Sequence, residues 1–438
     1  MDQTEALIIE TIDRHREEIL EFARDIYSHA ELGYKEFQTS GKFVKKMEQL
    51  GLRTEKGFAI TGVKAYLNED KKGNASLALL GELDALCIPE HAFANPETNA
   101  AHCCGHHAQM AGVFGAALAL TVPEIAEKLD GQVVFFATPA EEYGEIEFKN
   151  QLREQGKIRY GGGKCELLRI GAFDDIDLCL THHIRPGNEI LVGSGTGNGF
   201  VSKVIRVLGK ASHAAGAPEK GVNALSAASL GLQALGLNRE TFRDEDCVRV
   251  HPIITKGGNL VNVIPDEVVV ETLVRGKTIE AFTDAAKKTD RSFKAGAIAM
   301  GAKVEISTLP GYLPTLAEEA LPELKHAAEI SASGIPVIEA SGHAGGSTDV
   351  GDVQHLMPVY TFNTGGVKGG LHQIDFEVTD EEEAYIVTAK MFALAAYGLL
   401  KEKAQRSREL VDQYEPVFKN SAEYVEFMEQ FDSKEIFE

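Results

Sequence analysis

The chain has 438 residues, 44% hydrophobic and 25% charged, an ordinary globular composition that excludes disorder as its organising theme. Lys and Arg number 44 against 66 Asp and Glu, a net charge of −22, which argues against nucleic acid or a membrane surface as the main partner. A small anion held by one or two arginines stays compatible with that field. Six cysteines are too few for a disulfide scaffold in so long a chain. The opening residues lack a basic stretch followed by an apolar one, so no secretion signal is read there. No apolar run is seen to approach the roughly 20 residues that cross a bilayer. A reduced, cytoplasmic protein of two or three domains is expected.

Residues 4–30 and 38–50 carry apolar residues at helical spacing, broken at Glu31-Leu32-Gly33-Tyr34. Strands are predicted near 62–67 and 76–80, then a small-residue helix over 108–120. The run 133–137 is continuously apolar, as in a strand covered on both faces. A helix closing at 167–170 and a strand over 176–180 follow. Strands alternating with helices predict an α/β fold with a mostly parallel sheet.

The glycine-rich stretch Gly193–Gly199 reads as a hinge, and its alternate glycines fail the spacing of a dinucleotide-binding turn. Beyond it come a half-exposed strand over 200–208, a helix over 223–235, strands over 248–255 and 267–275, a helix over 279–300 and a strand over 303–308. That β-α-β-β-α-β order predicts an inserted α+β, ferredoxin-like domain over 196–310. The α/β pattern resumes with a strand over 359–362 and a helix over 381–400. The expected plan is a catalytic domain from 1–195 and 311–400, interrupted by the insert, with a charged helical extension over 401–438.

Five clusters carry chemistry. His102-Cys103-Cys104-Gly105-His106-His107 precedes the 108–120 helix, and imidazole and thiolate are ligands for borderline-soft divalent metals. Core cysteines beside surface histidines would give the same string. Glu141-Glu142 follows the buried 133–137 strand, where desolvated carboxylates need a compensating cation; one can bind metal while the other acts as a general base. In Thr181-His182-His183, neighbours on an extended chain point oppositely, so one histidine faces any shared site. Glu82 and Asp84 share a face, and His372 follows the 359–362 strand. All five fall beyond the carboxyl ends of predicted parallel strands or at a helix start facing them, where open α/β sheets bind ligands. In the insert, His213, Asn262 and Arg275 together could supply oxyanion and carboxylate donors above such a site.

With Gly81-Glu82-Leu83-Asp84-Ala85-Leu86, His102-x-Cys104-Gly105-His106, Pro139-Ala140-Glu141-Glu142, His183, Gly209-x-x-x-His213, Gly257-Gly258-x-x-x-Asn262-Val263-Ile264-Pro265, Ser347-x-Asp349 and His372, the chain resembles the M20 metallopeptidases and amidohydrolases over about residues 5–400. The similarity is greatest to the branch of aminoacylases, indole-acetyl-amino-acid hydrolases and aminobenzoyl-glutamate hydrolases. It implies that Cys104, His106, Glu142, His183 and His372 hold two divalent metals, Zn²⁺ or alternatively Mn²⁺, and that Glu141 is the general base. It also implies that the insert is a lid that forms a homodimer, with Asn262 and Arg275 on the substrate and His213 reaching the partner's site. The chain departs from the branch at His107, where Asp or Asn is usual, at Glu82, and in an extra charged stretch over 145–160.

The reading that follows is hydrolysis of the amide bond of an N-acyl amino acid or small peptide. Its alternatives are an M20 dipeptidase, a metal-binding homologue without turnover, and a hydrolase with Cys104 as nucleophile.

Overall fold

The computed structural model describes residues 1–332 and 334–438, which fall into two compact units. The first comprises Met1–Gly195, Leu316–Gly342 and Asp352–Ser421. Its eight-stranded sheet has four parallel strands at the centre, Gln132–Thr138, Ser76–Glu82, Leu178–Ile184 and Val359–Thr364 in that order. Antiparallel neighbours flank them: Gly62–Leu67 and Arg53–Phe58 on one side, Ile190–Val192 on the other. The strand that reads as continuously apolar, Gln132–Thr138, is buried at every residue, as a strand covered on both faces must be, and so is its neighbour Ser76–Glu82.

The His106–Leu120 helix is also buried at every position. A helix apolar all round has no solvent face to offer. It packs between the sheet and the helices Gln3–Arg14, Arg16–Ser28 and Thr388–Gln413. The predicted single helix over 4–30 is two, breaking at His15, and the first opens with a reciprocal Asp2–Glu5 capping box.

One segment among the described residues, Glu382–Gln413, is long and apolar enough to cross a bilayer, which corrects the expectation that none would be. Its apolar window is 89% buried inside the protein, and the helix leaves helical geometry at 401–404. It serves as a core helix.

The second unit comprises Thr196–Thr315, His343–Gly351 and Ala422–Glu438. Its antiparallel sheet runs Arg249–Val250, Glu267–Gly276, Gly199–Leu208, Lys303–Pro310, Ser433–Phe437, with Ile253–Lys256 also on the outer side of Glu267–Gly276. Two helices, Ala224–Asn238 and Ile279–Met300, pack on it. The Gly199–Leu208 strand is not half-exposed: only Arg206 is fully exposed. Its polar Lys203 is buried because Asp290 at 2.7 Å and Thr308 at 2.8 Å satisfy the ammonium.

The tail is not wholly helical either. Ser433–Phe437 pairs antiparallel with Lys303–Pro310. It thereby satisfies the backbone groups of what would be an open sheet edge, and Phe431 is anchored on Phe282 at 5.5 Å.

Candidate metal centre

The site of the first unit gathers at the carboxyl ends of the central strands. Gly105 takes φ = 90°, and a Cβ there would lie 2.0 Å from Ile184, so only glycine lets Cys104 and His106 turn toward one point. Ala140 also has positive φ, at 49°, making an elbow between the Gln132–Thr138 strand and the two glutamates. The elbow is held from outside. Glu36 accepts the Ala140 N–H at 2.8 Å, and Gly163 donates its N–H to the Ala140 carbonyl at 2.9 Å. Any Cβ on Gly163 would lie 1.6 Å from the Pro139 carbonyl oxygen. The buried Asp84 carboxylate then accepts the N–H of Glu141 at 3.1 Å and of Glu142 at 2.9 Å.

Cys104, His106, Glu142, His183 and His372 are brought together. The Cys104 sulfur lies 3.3 Å from Nε2 of both His183 and His372, and His372 Nε2 lies 3.1 Å from a Glu142 oxygen. The five form two ligand triads that share Cys104: Cys104–His106–His183 and Cys104–Glu142–His372. A third triad joins Glu82, His106 and Glu141. As expected of neighbours on a strand, His182 turns the other way and meets Thr364 Oγ1 at 2.8 Å.

Both inner histidines present Nε2 to this cluster. Nδ1 of His106 donates to the Asp84 carbonyl at 2.8 Å, and Nδ1 of His183 to the Ile184 carbonyl at 2.8 Å. Each bond fixes the tautomer that leaves the Nε2 lone pair free. Glu141 lies with its carboxylate 3.8 Å from His106 Nε2 and is buried.

The electrostatics ask for a cation. Burial pushes the Glu36 carboxyl up to about 7, helped by the neighbouring Asp84 charge. Burial pushes the Cys104 thiol well up, with Glu142 adding to it, so as a free group it is a poor thiolate. Burial opposes a charged His106, yet the Glu82 carboxylate carries its pKa well above the usual imidazole value. His106 Nε2 lies 3.1 Å from a Glu82 oxygen and Glu142 Oε1 lies 3.1 Å from His372 Nε2, but neither buried atom makes a well-aligned hydrogen bond. Poorly satisfied buried polar atoms among converging carboxylates, imidazoles and a thiol fit a divalent metal, which would take the place of these contacts.

Several supporting residues escape a sequence reading. The fully buried Lys164 places its ammonium 2.5 Å from Glu82, and Gln109 donates to the other Glu82 oxygen at 2.8 Å. The charged stretch over 145–160 forms the helix Ile146–Glu154, from which Lys149 donates to the Glu142 carbonyl at 2.5 Å. These are polar residues inside otherwise ordinary helices, with no spacing signal of their own. His107 is no ligand in any of the three triads. It is buried against Tyr27 at 4.7 Å and Tyr385 at 5.7 Å, an aromatic filler behind the site.

His213, Asn262 and Arg275 belong to the second unit. His213 and Asn262 are laced together: Ala214 donates to the Asn262 carbonyl at 3.0 Å, and His213 bridges to Val263. His213 Nδ1 accepts the Gly216 N–H at 2.9 Å, which leaves Nε2–H as an exposed donor. Arg275 stands near the far end of the strand that begins at Glu267. Eight residues of extended chain separate the ends by about 25 Å. His213 and Asn262 thus lie toward one end of this strand and Arg275 toward the other.

The profile of peptidase family M20/M25/M40 matches residues 78–397. The chain is 28% identical over 412 residues to a mouse Xaa-Arg dipeptidase, covering 90% of this chain and 85% of that protein. It is 25% identical to an N-acetyl-L-cysteine deacetylase of Bacillus subtilis, covering 89% and 90%. Among solved structures, it resembles a Bacillus subtilis protein described as a dinuclear metal-binding peptidase from the M20 family. The TM-score there is 0.62 at 24% identity, covering 89% of this chain and 99% of that one.

Proposed function

On the premise that the chain belongs to peptidase family M20/M25/M40, we propose that it hydrolyses the amide bond of an N-acyl amino acid or small peptide with two bound divalent metals. The observation that carries the reading is the pair of triads sharing Cys104, with Glu141 beside them. Cys104, His106 and His183 would hold one ion, and Cys104, Glu142 and His372 the other. Zn²⁺ suits the thiolate and imidazole donors, with Mn²⁺ as the alternative. Bound there, the ions would supply Lewis acidity toward the amide carbonyl and acidify water.

Glu141 takes the proton from the attacking water and returns it to the leaving amine. Asp84 holds the backbone of Glu141 and Glu142, so base and ligand keep a fixed separation. Lys164 balances Glu82, which keeps that carboxylate in place beside His106. In a thiol-nucleophile mechanism, burial would hold Cys104 protonated, which argues against that alternative.

Arg275 binds the free carboxylate of the substrate, and the second unit acts as lid and dimerisation domain. The distance between Arg275 and the His213–Asn262 pair supports a homodimer, in which one copy supplies Arg275 and the other His213. The outer strand Ile253–Lys256 supports it too: its outer side pairs with no other strand among the described residues, Ile253 and Ile254 are exposed there, and Leu260 and Val261 are exposed just beyond. We place the protein in the cytoplasm; its six cysteines form no disulfide, and four of them are buried.

Hydrolysis of a panel of N-acyl amino acids and dipeptides, before and after chelation and metal restoration, tests the reading. Release of a free amino acid that stops on chelation and returns with metal is expected. Turnover indifferent to chelation would overturn it.

A further inference from the structure

Arg275 and Arg249 are directly opposed on neighbouring antiparallel strands of the second unit, so their side chains leave the same face of the sheet. Phe200 is opposed to Arg275 on the other side and lies under its guanidinium at 5.2 Å. Ser347 Oγ accepts from Arg275 at 2.6 Å, which fixes that fork. Arg249 is exposed and donates to the Val248 carbonyl at 2.9 Å. Lys277 follows Arg275 by two residues. Arg249 and Lys277 make no ion pair among the described residues.

A third element closes on the same cations. His343 has its pKa lowered by burial and by the charges of Lys277 and Arg249, so both lie within electrostatic reach of it. Its Nδ1 meets Thr196 Oγ1 at 3.0 Å, and its Nε2 is buried without a partner. Asn198 ties these segments down, donating to the carbonyls of Cys247 and Gly345 at 3.2 Å each. Like charges directly opposed across strands repel. In a chain of net charge −22, cations so placed mark a position for an anion.

We propose that Arg249 and Lys277 form a second carboxylate position beside Arg275, and that the leaving amino acid is therefore acidic. The substrate class is an N-acyl glutamate or aspartate, or a dipeptide ending in one. This rests on the reading that Arg275 holds the substrate's free carboxylate. A basic leaving residue would meet like charge here, so the specificity named for the mouse relative is not expected of this chain.

The test uses the metal-loaded full chain and three probes, N-acetyl-glutamate, N-acetyl-leucine and N-acetyl-arginine. Binding is measured by calorimetry on the Glu141→Gln variant, and turnover on the unmodified enzyme. The glutamate derivative should bind about tenfold or more tighter than the leucine one, with the arginine derivative weakest. Arg249→Ala should collapse the glutamate-to-leucine ratio through KM, Arg249→Lys should restore part of it, and Arg249→Glu should shift the preference toward arginine. Equal affinity for all three, a preference for arginine, or a ratio unmoved by Arg249→Ala would overturn the proposal. Turnover without acidic preference leaves the hydrolytic reading standing and this one refuted. Glutamate-selective binding without turnover of any probe does the reverse.

Discussion

The Cys104 sulfur lies 3.3 Å from Nε2 of His183. Because the same sulfur is equally close to His372, one thiol joins both ligand triads. Cys104→Ala should therefore weaken both metal positions together. Elemental analysis after dialysis should find a clear drop in bound metal, and the thermal stabilisation given by added metal should shrink with it. Full occupancy in the variant would remove Cys104 from the ligand set.

Lys164 and Glu82 are a buried pair at 2.5 Å. Replacing Lys164 by Met leaves the carboxylate buried without its main counter-charge, at a cost of about 3–5 kcal/mol. Denaturant unfolding of the metal-free variant should show that loss, and saturating metal should recover part of it, since Glu82 lies beside His106. A variant as stable as the parent without metal would show that Gln109 alone satisfies Glu82.

Glu318 offers a stability test remote from the metal centre. Burial pushes its carboxyl up to about 8, while its oxygens accept from Thr361 and, at 3.4 Å, from Gln354. The folded state thus holds a proton that the unfolded state has released above its ordinary carboxyl pKa of 4.5. The contribution is fully present below that value and is lost as pH rises through about 8. Glu318→Gln should flatten this fall, so its melting temperature should gain on the parent's by about 2 °C or more between pH 5 and pH 8.5. Parallel profiles would show that Glu318 titrates normally.

Arg275→Ala should lower kcat/KM on a free-acid substrate by about tenfold or more, and much less on its carboxamide analogue. Equal losses on both would assign Arg275 to the fold of the second unit.

The candidate ligands were legible because their chemistry is rare and their position is dictated by topology. Histidines, a cysteine and paired glutamates at the ends of apolar strands have few other reasons to recur. The supporting shell was not legible. Lys164, Lys149, Glu36 and Gln109 sit in helical or loop contexts where the same residues usually face solvent, and only tertiary packing buries them. The Gly199–Leu208 strand misled for the same reason: Lys203 reads as exposed until Asp290 is seen beside it. The tail misled through its charge, since Ser433–Phe437 is recruited by a sheet edge over 120 residues earlier in the chain. Strand length, too, was needed before Arg275 could be separated from Asn262.

The most direct test of the account is a comparison of the parent and Glu141→Gln, each stripped of metal and then titrated with Zn²⁺ or Mn²⁺, on one N-acyl amino acid. Both proteins should bind the same metal equivalents and melt alike. The parent should gain turnover in step with occupancy, while Glu141→Gln should remain about 10²-fold or more slower at full loading. Near-parental turnover by the loaded Glu141→Gln variant, or turnover by the metal-free parent, would contradict it.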